Sequence, residues 1–336
     1  MTSKNTHAAA STAQSPVWSP AQRARTGAIR PRILTRAADL ESGGVRRGLQ
    51  IALGLVWLLD AALQFQPYMF GRALVSQVLE PTAMGNPAVF ASPALWADRL
   101  ITHGLPAWNA AFALIQLAIA LGLLWRPAVK AALATSIVWS LGAWWVAEGL
   151  GGVLTGTASP VTGAPGAVIL YALLAVLVWP RRSVVGDNGA GHGGVAAASP
   201  LGSRWSAAAW LVLWGSFAYL ILQPAVRAPR ALSGTLAGEA AGEPGWLAAV
   251  DRGVATATGS HGMAISVVLA SAFILIAAGI FFAPIARPAL VLAIIVGLGI
   301  WVVGENFGEI ATGTATDPNT GPLLILLAAA YWPLIR

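Results

Sequence analysis

Long apolar stretches, broken by short polar turns, set the pattern of this chain. Runs long enough to cross a bilayer lie at 48–66, 105–125, 128–147, 206–223, 263–283 and 286–304, where a span needs about 20 residues and about 17 to 25 are tolerated. Two shorter runs, 163–180 and 320–335, open on Thr, Gly and Pro. Pro165 and Pro322 fit the first turn of a helix there, where a missing N–H leaves no acceptor waiting. Counting all eight runs predicts an all-α, polytopic membrane protein of about eight transmembrane helices. Residues 1–45 carry no apolar period and are rich in Ser, Thr, Ala, Pro and Arg, which predicts a disordered, basic cytoplasmic tail. Residues 183–204 read as a Gly/Ala/Ser linker, with His192 in a Gly-His-Gly-Gly stretch as a solvated loop residue.

Composition sharpens this reading. Apolar residues make up 57% of the chain and charged ones 10%, where a soluble domain carries about a quarter charged. The chain has no cysteine, which removes disulfides, thiolate metal sites and a cysteine nucleophile. Trp144, Trp145 and Trp301 stand at one set of run ends and Trp125, Trp179, Trp205 and Trp332 at the other, as in the aromatic belts of the two membrane interfaces. The net charge of +7 does not indicate nucleic acid. Lys4, Arg23, Arg25, Arg30, Arg32, Arg36, Arg46 and Arg47 all precede the first apolar run, where a cytoplasmic tail would lie on anionic headgroups. No apolar segment before residue 48 resembles a secretory signal. With that tail inside and eight spans, Arg126, Lys130, Arg181, Arg182, Arg204, Arg287 and Arg336 also fall inside. Only Arg72, Arg99, Arg227, Arg230 and Arg252 fall outside, in keeping with the positive-inside rule. A six-span arrangement satisfies the same rule, so charge alone does not choose between them.

An internal duplication does choose. Setting 48–180 against 205–333 pairs Trp57 with Trp214, Gln66-Pro67 with Gln223-Pro224, and Arg72-Ala73-Leu74 with Arg230-Ala231-Leu232. Gly85-Asn86-Pro87 then pairs with Gly242-Glu243-Pro244, Asp98-Arg99 with Asp251-Arg252, and His103-Gly104 with His261-Gly262. The longest match aligns Trp144, Glu148, Gly151 and Thr155-Gly156-Thr157-Ala158 without gaps to Trp301, Glu305, Gly308 and Thr312-Gly313-Thr314-Ala315. The expected units are 46–182 and 205–336. Four helices per unit is an even number, so the second unit repeats the orientation of the first, as parallel repeats do.

In this topology Gln66 and Gln223 end the first helix of each unit on the outer side, and His103 and His261 open the second. Glu148 and Glu305 end the third, before turns that contain Thr155 and Thr312. Each has a plain structural role available: a helix-capping His, a solvated Glu, a Gln bonded to backbone freed by proline. Taken together they form a candidate ligand site. Two imidazoles and two carboxylates suit a divalent metal, or axial ligation of a haem through His103 and His261. His, Gln and Thr hydroxyls would instead hold the oxygens of a quinone. Asp60 stands apart, inside the first span and matched by Phe217 in the second unit. An intramembrane carboxylate is a functional residue by default, as proton acceptor or cation partner. Asp98 and Asp251, each followed by Arg, are expected to form structural ion pairs.

Asn306-Phe307 followed by Gly313-Thr314-Ala315-Thr316-Asp317-Pro318 resembles the DoxX/DoxD-like membrane proteins, in which an Asn-Phe pair precedes Gly-Thr, a Ser or Thr, and Asn-Pro. Asp317 stands where that family has Asn, and the first unit is further off, with Gly149-Leu150 and Gly156-Thr157-Ala158-Ser159-Pro160. The resemblance covers about 30 residues of each half. It implies four helices per unit and respiratory or redox company, and it carries no catalytic residue across.

The sequence thus leads to a multi-pass protein of the cell membrane with both termini cytoplasmic and a ligand or cofactor site at the outer face. Quinone-linked redox work, within a larger membrane complex, is the first expectation. A small-solute or ion transporter using Asp60, or a scaffold without a ligand, are the alternatives, and whether the chain is an enzyme stays open.

Overall fold

A computed structural model describes residues 43–76, 80–180 and 194–333, and among them the fold is entirely helical, without a strand. Most of the expected tail, and residues 181–193 of the linker with His192, lie outside the described residues. Helix α1 covers residues 43–63. There follow α2 (Ala88–Thr102), α3 (Leu105–Leu124), α4 (Val129–Val146) and α5 (Ala167–Leu177). The second half contains α6 (Gly202–Ile221), α7 (Ala231–Glu239), α8 (Gly245–Thr258), α9 (Gly262–Gly279), α10 (Ala283–Gly299) and α11 (Thr320–Ala330). The last turn of α10 widens into a π-helical stretch, Ile300–Gly304.

Four of these stretches are long and apolar enough to cross a membrane: Leu105–Leu124, Arg126–Val146, Gly262–Gly279 and Ala283–Gly304. Their side chains are distributed inside out relative to a soluble fold. Val138, Val268 and Leu114 are 65–73% exposed, whereas Ser136, Ser140, Asn109 and Ser266 are at most 1% exposed. Large apolar side chains outside and hydrogen-bonding ones inside make a surface suited to lipid, as in a membrane protein.

Polar bonds fix which helix ends lie together. The Arg47 guanidinium donates to the last carbonyls of α3, Leu123 at 2.8 Å and Leu124 at 2.6 Å. A cation there also complements the negative end of the helix dipole. Gln50 donates to the Val178 carbonyl just beyond α5, and Arg46 to Ala198 just before α6. The start of α1, the ends of α3 and α5 and the start of α6 therefore share one end of the bundle. The Tyr331 hydroxyl, past α11, donates to the Ser206 carbonyl at the start of α6. At the opposite end Asn109, near the start of α3, donates to the Gln64 carbonyl beyond α1 at 2.7 Å.

Three details depart from expectation. The outer segments after the first run of each half, where no helix was expected, contain α2, α7 and α8, so the described residues form more than eight helices. Residues 194–197, expected as linker, are helical and bury Val195 and Ala196 in the core, and α6 begins at Gly202. Pro322 sits in the first turn of α11 as expected, but Pro165 lies two residues ahead of α5. The residue occupying the corresponding place before α11 is Pro318, because the second loop is four residues shorter.

The short helices α5 and α11 lie at the centre, packed on each other. Leu170, Leu174 and Leu177 of α5 and Leu323, Leu324 and Leu327 of α11 are all buried in one core that also holds Trp57 and Phe273. The halves meet again where Gly304 abuts the first half: a Cβ there would collide with the Val161 carbonyl. Gly304→Ala is therefore expected to cost about 1–3 kcal/mol by overpacking and to lower the thermal unfolding midpoint in detergent. Gly142→Ala, where an added methyl meets open space, should leave the midpoint unchanged or raise it.

Candidate functional site

Helices α5 and α11 have 11 residues each, about 16 Å of helix, roughly half the thickness of a bilayer core. They begin inside the protein, so their first N–H groups need acceptors that water would otherwise supply. A glutamate from the end of the preceding long helix provides them. Glu148 Oε1 accepts from the Ala167 and Val168 N–H groups at 3.1 and 3.2 Å. Glu305 accepts from the Thr320 and Gly321 N–H groups at 3.2 and 3.0 Å and from the Thr320 hydroxyl. A second bond recurs beside each: the Trp144 indole donates to the Pro165 carbonyl at 2.6 Å, and the Trp301 indole to Pro318 at 2.9 Å. The carboxyl oxygens also meet the positive end of the helix dipole.

To turn from the long helix toward the short one, the backbone makes a left-handed turn of four residues. In the first half it runs through Gly149, Leu150, Gly151 and Gly152, with φ between 53° and 66°. In the second it runs through Asn306, Phe307, Gly308 and Glu309, with φ between 46° and 71°. Gly151 and Gly308 have no alternative, since a Cβ at either would strike the returning loop, at Pro165 or at Asp317-Pro318. The other positions of the second turn carry side chains in a conformation that costs roughly 1–2 kcal/mol per residue.

Where the returning loops meet, carboxyls from both halves gather. Asp60 of α1 is 2% exposed, and its Oδ1 has no hydrogen-bond partner. Its carboxyl faces the Tyr171 hydroxyl of α5, and Asp317 is close enough to act on it electrostatically. Asp317 acts likewise on Glu148 and Glu305, while its own oxygens accept from the Asn319 N–H at 2.7 Å and the Thr316 hydroxyl at 2.9 Å. Glu148 keeps one buried oxygen, Oε2, without a partner. No basic side chain acts on this group of four carboxyls among the described residues. Burial, reinforced by Asp317, holds the Glu148 carboxyl well above the usual carboxylate range, against the two N–H groups that favour its anion. Burial raises Glu305 to about 7, with its three donors opposing.

The residues expected from sequence divide. Asp60, Glu148 and Glu305 come together here. Gln66 lies at the edge and ties the halves, its amide donating to the Leu63 and Ala315 carbonyls, both at 2.9 Å. Gln223 makes no such side-chain bond among the described residues; its backbone carbonyl accepts from the Val226 and Arg227 N–H groups. Thr155 and Thr312 are spent within their own turns, each donating to a carbonyl three residues back and accepting from the N–H two residues on. His103 and His261 are exposed, and each ring Nδ1 pairs with a carbonyl of the preceding helix, Arg99 at 2.6 Å and Thr258 at 3.3 Å. Among the described residues no three His, Cys, Asp or Glu side chains are placed to hold a metal ion. Asp98 and Asp251 form no ion pair with their neighbouring arginines among the described residues; both are buried, and Arg99 donates to the Leu95 carbonyl instead. Consecutive residues of a helix point in different directions, so adjacency in sequence does not pair them.

Tyr171 and Asp317 were not among the expected site residues. Asp317 carried a signal, as the acid in a loop where the resembled family has Asn; Tyr171, a single hydroxyl within an apolar run, carried almost none. Comparison with known protein families, with curated proteins and with solved structures gave no match to this chain.

Glu305 makes stability depend on pH with a definite sign. Its carboxyl is raised in the folded chain from an ordinary 4.5 to about 7, so between those values the folded state holds a proton that the unfolded state has lost. The resulting stabilisation is complete below about 4.5 and is lost as pH rises through about 7. Thermal unfolding in detergent should show this decline, and Glu305→Gln should flatten it. Glu305→Ala leaves buried donors unpaired and should cost about 1–3 kcal/mol.

Proposed function

We propose that this chain is a multi-pass protein of the cytoplasmic membrane, with both termini inside and eight spans arranged as two four-helix repeats of like orientation. On this reading it carries a proton or small monovalent cation across the membrane by way of the Asp60 cluster. The observation that carries the reading is the buried carboxyl of Asp60, set among Tyr171, Asp317 and Glu148 with an oxygen unpartnered. Placing a carboxylate within a span costs at least ~2.5 kcal/mol on insertion scales, and no basic side chain among the described residues offsets it. A proton or a cation offsets it, and a site that must fill and empty is what ion transport requires.

The repeat is supported by the recurrence of one device, Glu to short-helix N–H and Trp to proline carbonyl, in both halves. The shared end of the bundle where α1 and α6 start and α5 and α11 finish supports like orientation. Short helices preceded by irregular, buried backbone are also the form that broken helices take in transporters. The likeness to DoxX/DoxD-like proteins supports four helices per unit. A quinone-linked redox role has that likeness alone behind it.

The test is flux in proteoliposomes under imposed pH and sodium gradients. Wild-type protein should dissipate one of them, and Asp60→Asn should slow that by roughly tenfold or more, the effect of about 1.4 kcal/mol on a barrier. Equal rates in wild type and variant, or no flux above empty liposomes under either gradient, would rule the reading out.

A further inference from the structure

The interior of the first half carries polar side chains at places where the second half is apolar. On α1 and α4, which both run away from the Arg47 end, the Trp57 indole donates to the Ser136 hydroxyl at 3.1 Å. One turn further along each helix, about 5 Å on, stand Asp60 and Ser140. Tyr171 of α5 joins them: its ring centroid lies 4.5 Å from that of Trp57, and its hydroxyl faces the Asp60 carboxyl. Ser140 and Tyr171 are fully buried, and neither hydroxyl has a hydrogen-bond partner among the described residues. A helical Ser or Thr can return its hydroxyl to a carbonyl one turn back, as Thr135 and Ser271 do here; Ser140 does not. Gln116 of α3 is 8% exposed, and its Oε1 is likewise unpartnered.

The second half shows what the frame itself requires at these positions. Trp144 matched to Trp301 sets Ser140 against Gly297, and the first residues of α5 and α11 set Tyr171 against Leu324. Gly122 and Gly279, each closed against an alanine of the following helix, set Gln116 against Phe273. With Asp60 against Phe217, all four counterparts lack a polar side chain. They also touch in pairs: Phe217 and Phe273 meet edge-on at 5.5 Å, and a Cβ on Gly297 would lie 3.3 Å from that of Leu324. The same packing in the first half sets Asp60 toward Gln116 and Ser140 toward Tyr171. Four helices thus each bring one polar group to a single layer of one half, and the other half packs without any of them.

Resting on the reading of Asp60 as an ion carrier, we propose that the ion is the proton and that Ser140, Tyr171 and Gln116 hold Asp60 in both of its states. With Asp60 ionised, the two hydroxyls donate to its oxygens. With a proton on Oδ1, the carboxyl O–H donates to Gln116 Oε1, and the hydroxyls turn away, since each can donate or accept. The proton arrives on Asp60 and leaves from it, and no other group changes its proton count. Loaded in this way the layer is neutral, as an apolar bundle core favours. A metal cation would instead need a shell of oxygens with both hydroxyl hydrogens turned outward, and the Trp57 and Tyr171 rings take up one side of that shell. The other titratable groups acting on this pair are Asp317, before α11, and Glu148, at the end of α4, both acids.

Proton flux in proteoliposomes under a pH gradient, in potassium buffer with and without sodium, tests this. Wild-type protein should dissipate the gradient equally in both buffers. Ser140→Ala and Tyr171→Phe should each slow it by roughly tenfold or more, whereas Ser140→Thr, which keeps a hydroxyl, should run at the wild-type rate. Thr135→Ala, which removes an exposed hydroxyl of the same helix, should have no effect. Ser140→Ala removes one buried oxygen and keeps the test decisive if Tyr171→Phe does not fold. A signature beyond flux is the infrared carbonyl stretch of protonated Asp60, recognised by its absence in Asp60→Asn; it should shift in Gln116→Leu, which removes the acceptor. Flux that depends on Asp60 but requires sodium, or that is unchanged in Ser140→Ala and Tyr171→Phe, would overturn the proton assignment and leave Asp60 as the carrier; so would an unshifted band in Gln116→Leu. No flux, or equal flux in Asp60→Asn, would overturn both.

Discussion

A helix that starts inside a protein must find acceptors for its first N–H groups, and the centre of this molecule is two such helices. Both α5 and α11 are only 11 residues long and lie at the middle of the core. Water cannot reach their first turns, and irregular backbone in an apolar surrounding survives only where its polar groups are paired. Glu148 and Glu305 meet this need from the ends of α4 and α10. Much of the surrounding geometry follows. The chain must reverse sharply to bring each short helix under its glutamate, which takes a four-residue left-handed turn. The returning loop then passes so close that Gly151 and Gly308 admit no side chain.

This constraint also explains why acids accumulate at the centre. Two capping glutamates already stand near the junction of the halves, and Asp60 and Asp317 add carboxyls that the capping does not use. Neither has an acidic counterpart in the other half: Asp60 is matched by Phe217, which packs on Trp214 and Phe273. The likeness of the halves supplies the frame, and the departures from it supply the unbalanced charge.

The pairing of residues in sequence therefore had a mixed meaning. Glu148 and Glu305, and Trp144 and Trp301, make the same bonds because each short helix needs the same support. Thr155 and Thr312 are duplicated because each turn closes on its own hydroxyl. The paired histidines, chemically the most suggestive, are exposed and bonded to local carbonyls.

The apolar runs and the scarcity of charge predicted, without any structure, that the chain is helical, and the runs predicted where its long helices lie. Asp60 was legible as well, because a carboxyl within an apolar run conflicts with its surroundings over a few residues of sequence. What the sequence could not disclose was which polar groups meet. Glu148 reaches N–H groups 19 and 20 residues away and Gln66 a carbonyl 249 residues away, while Asp60 lies beside a tyrosine of another helix. Such partners depend on how helices pack and how loops return, and apolar packing fixes those without leaving a local pattern. Tertiary structure alone decided that the glutamates cap helices, that Asp98 and Asp251 are buried without their arginines, and that Tyr171 and Asp317 stand beside Asp60.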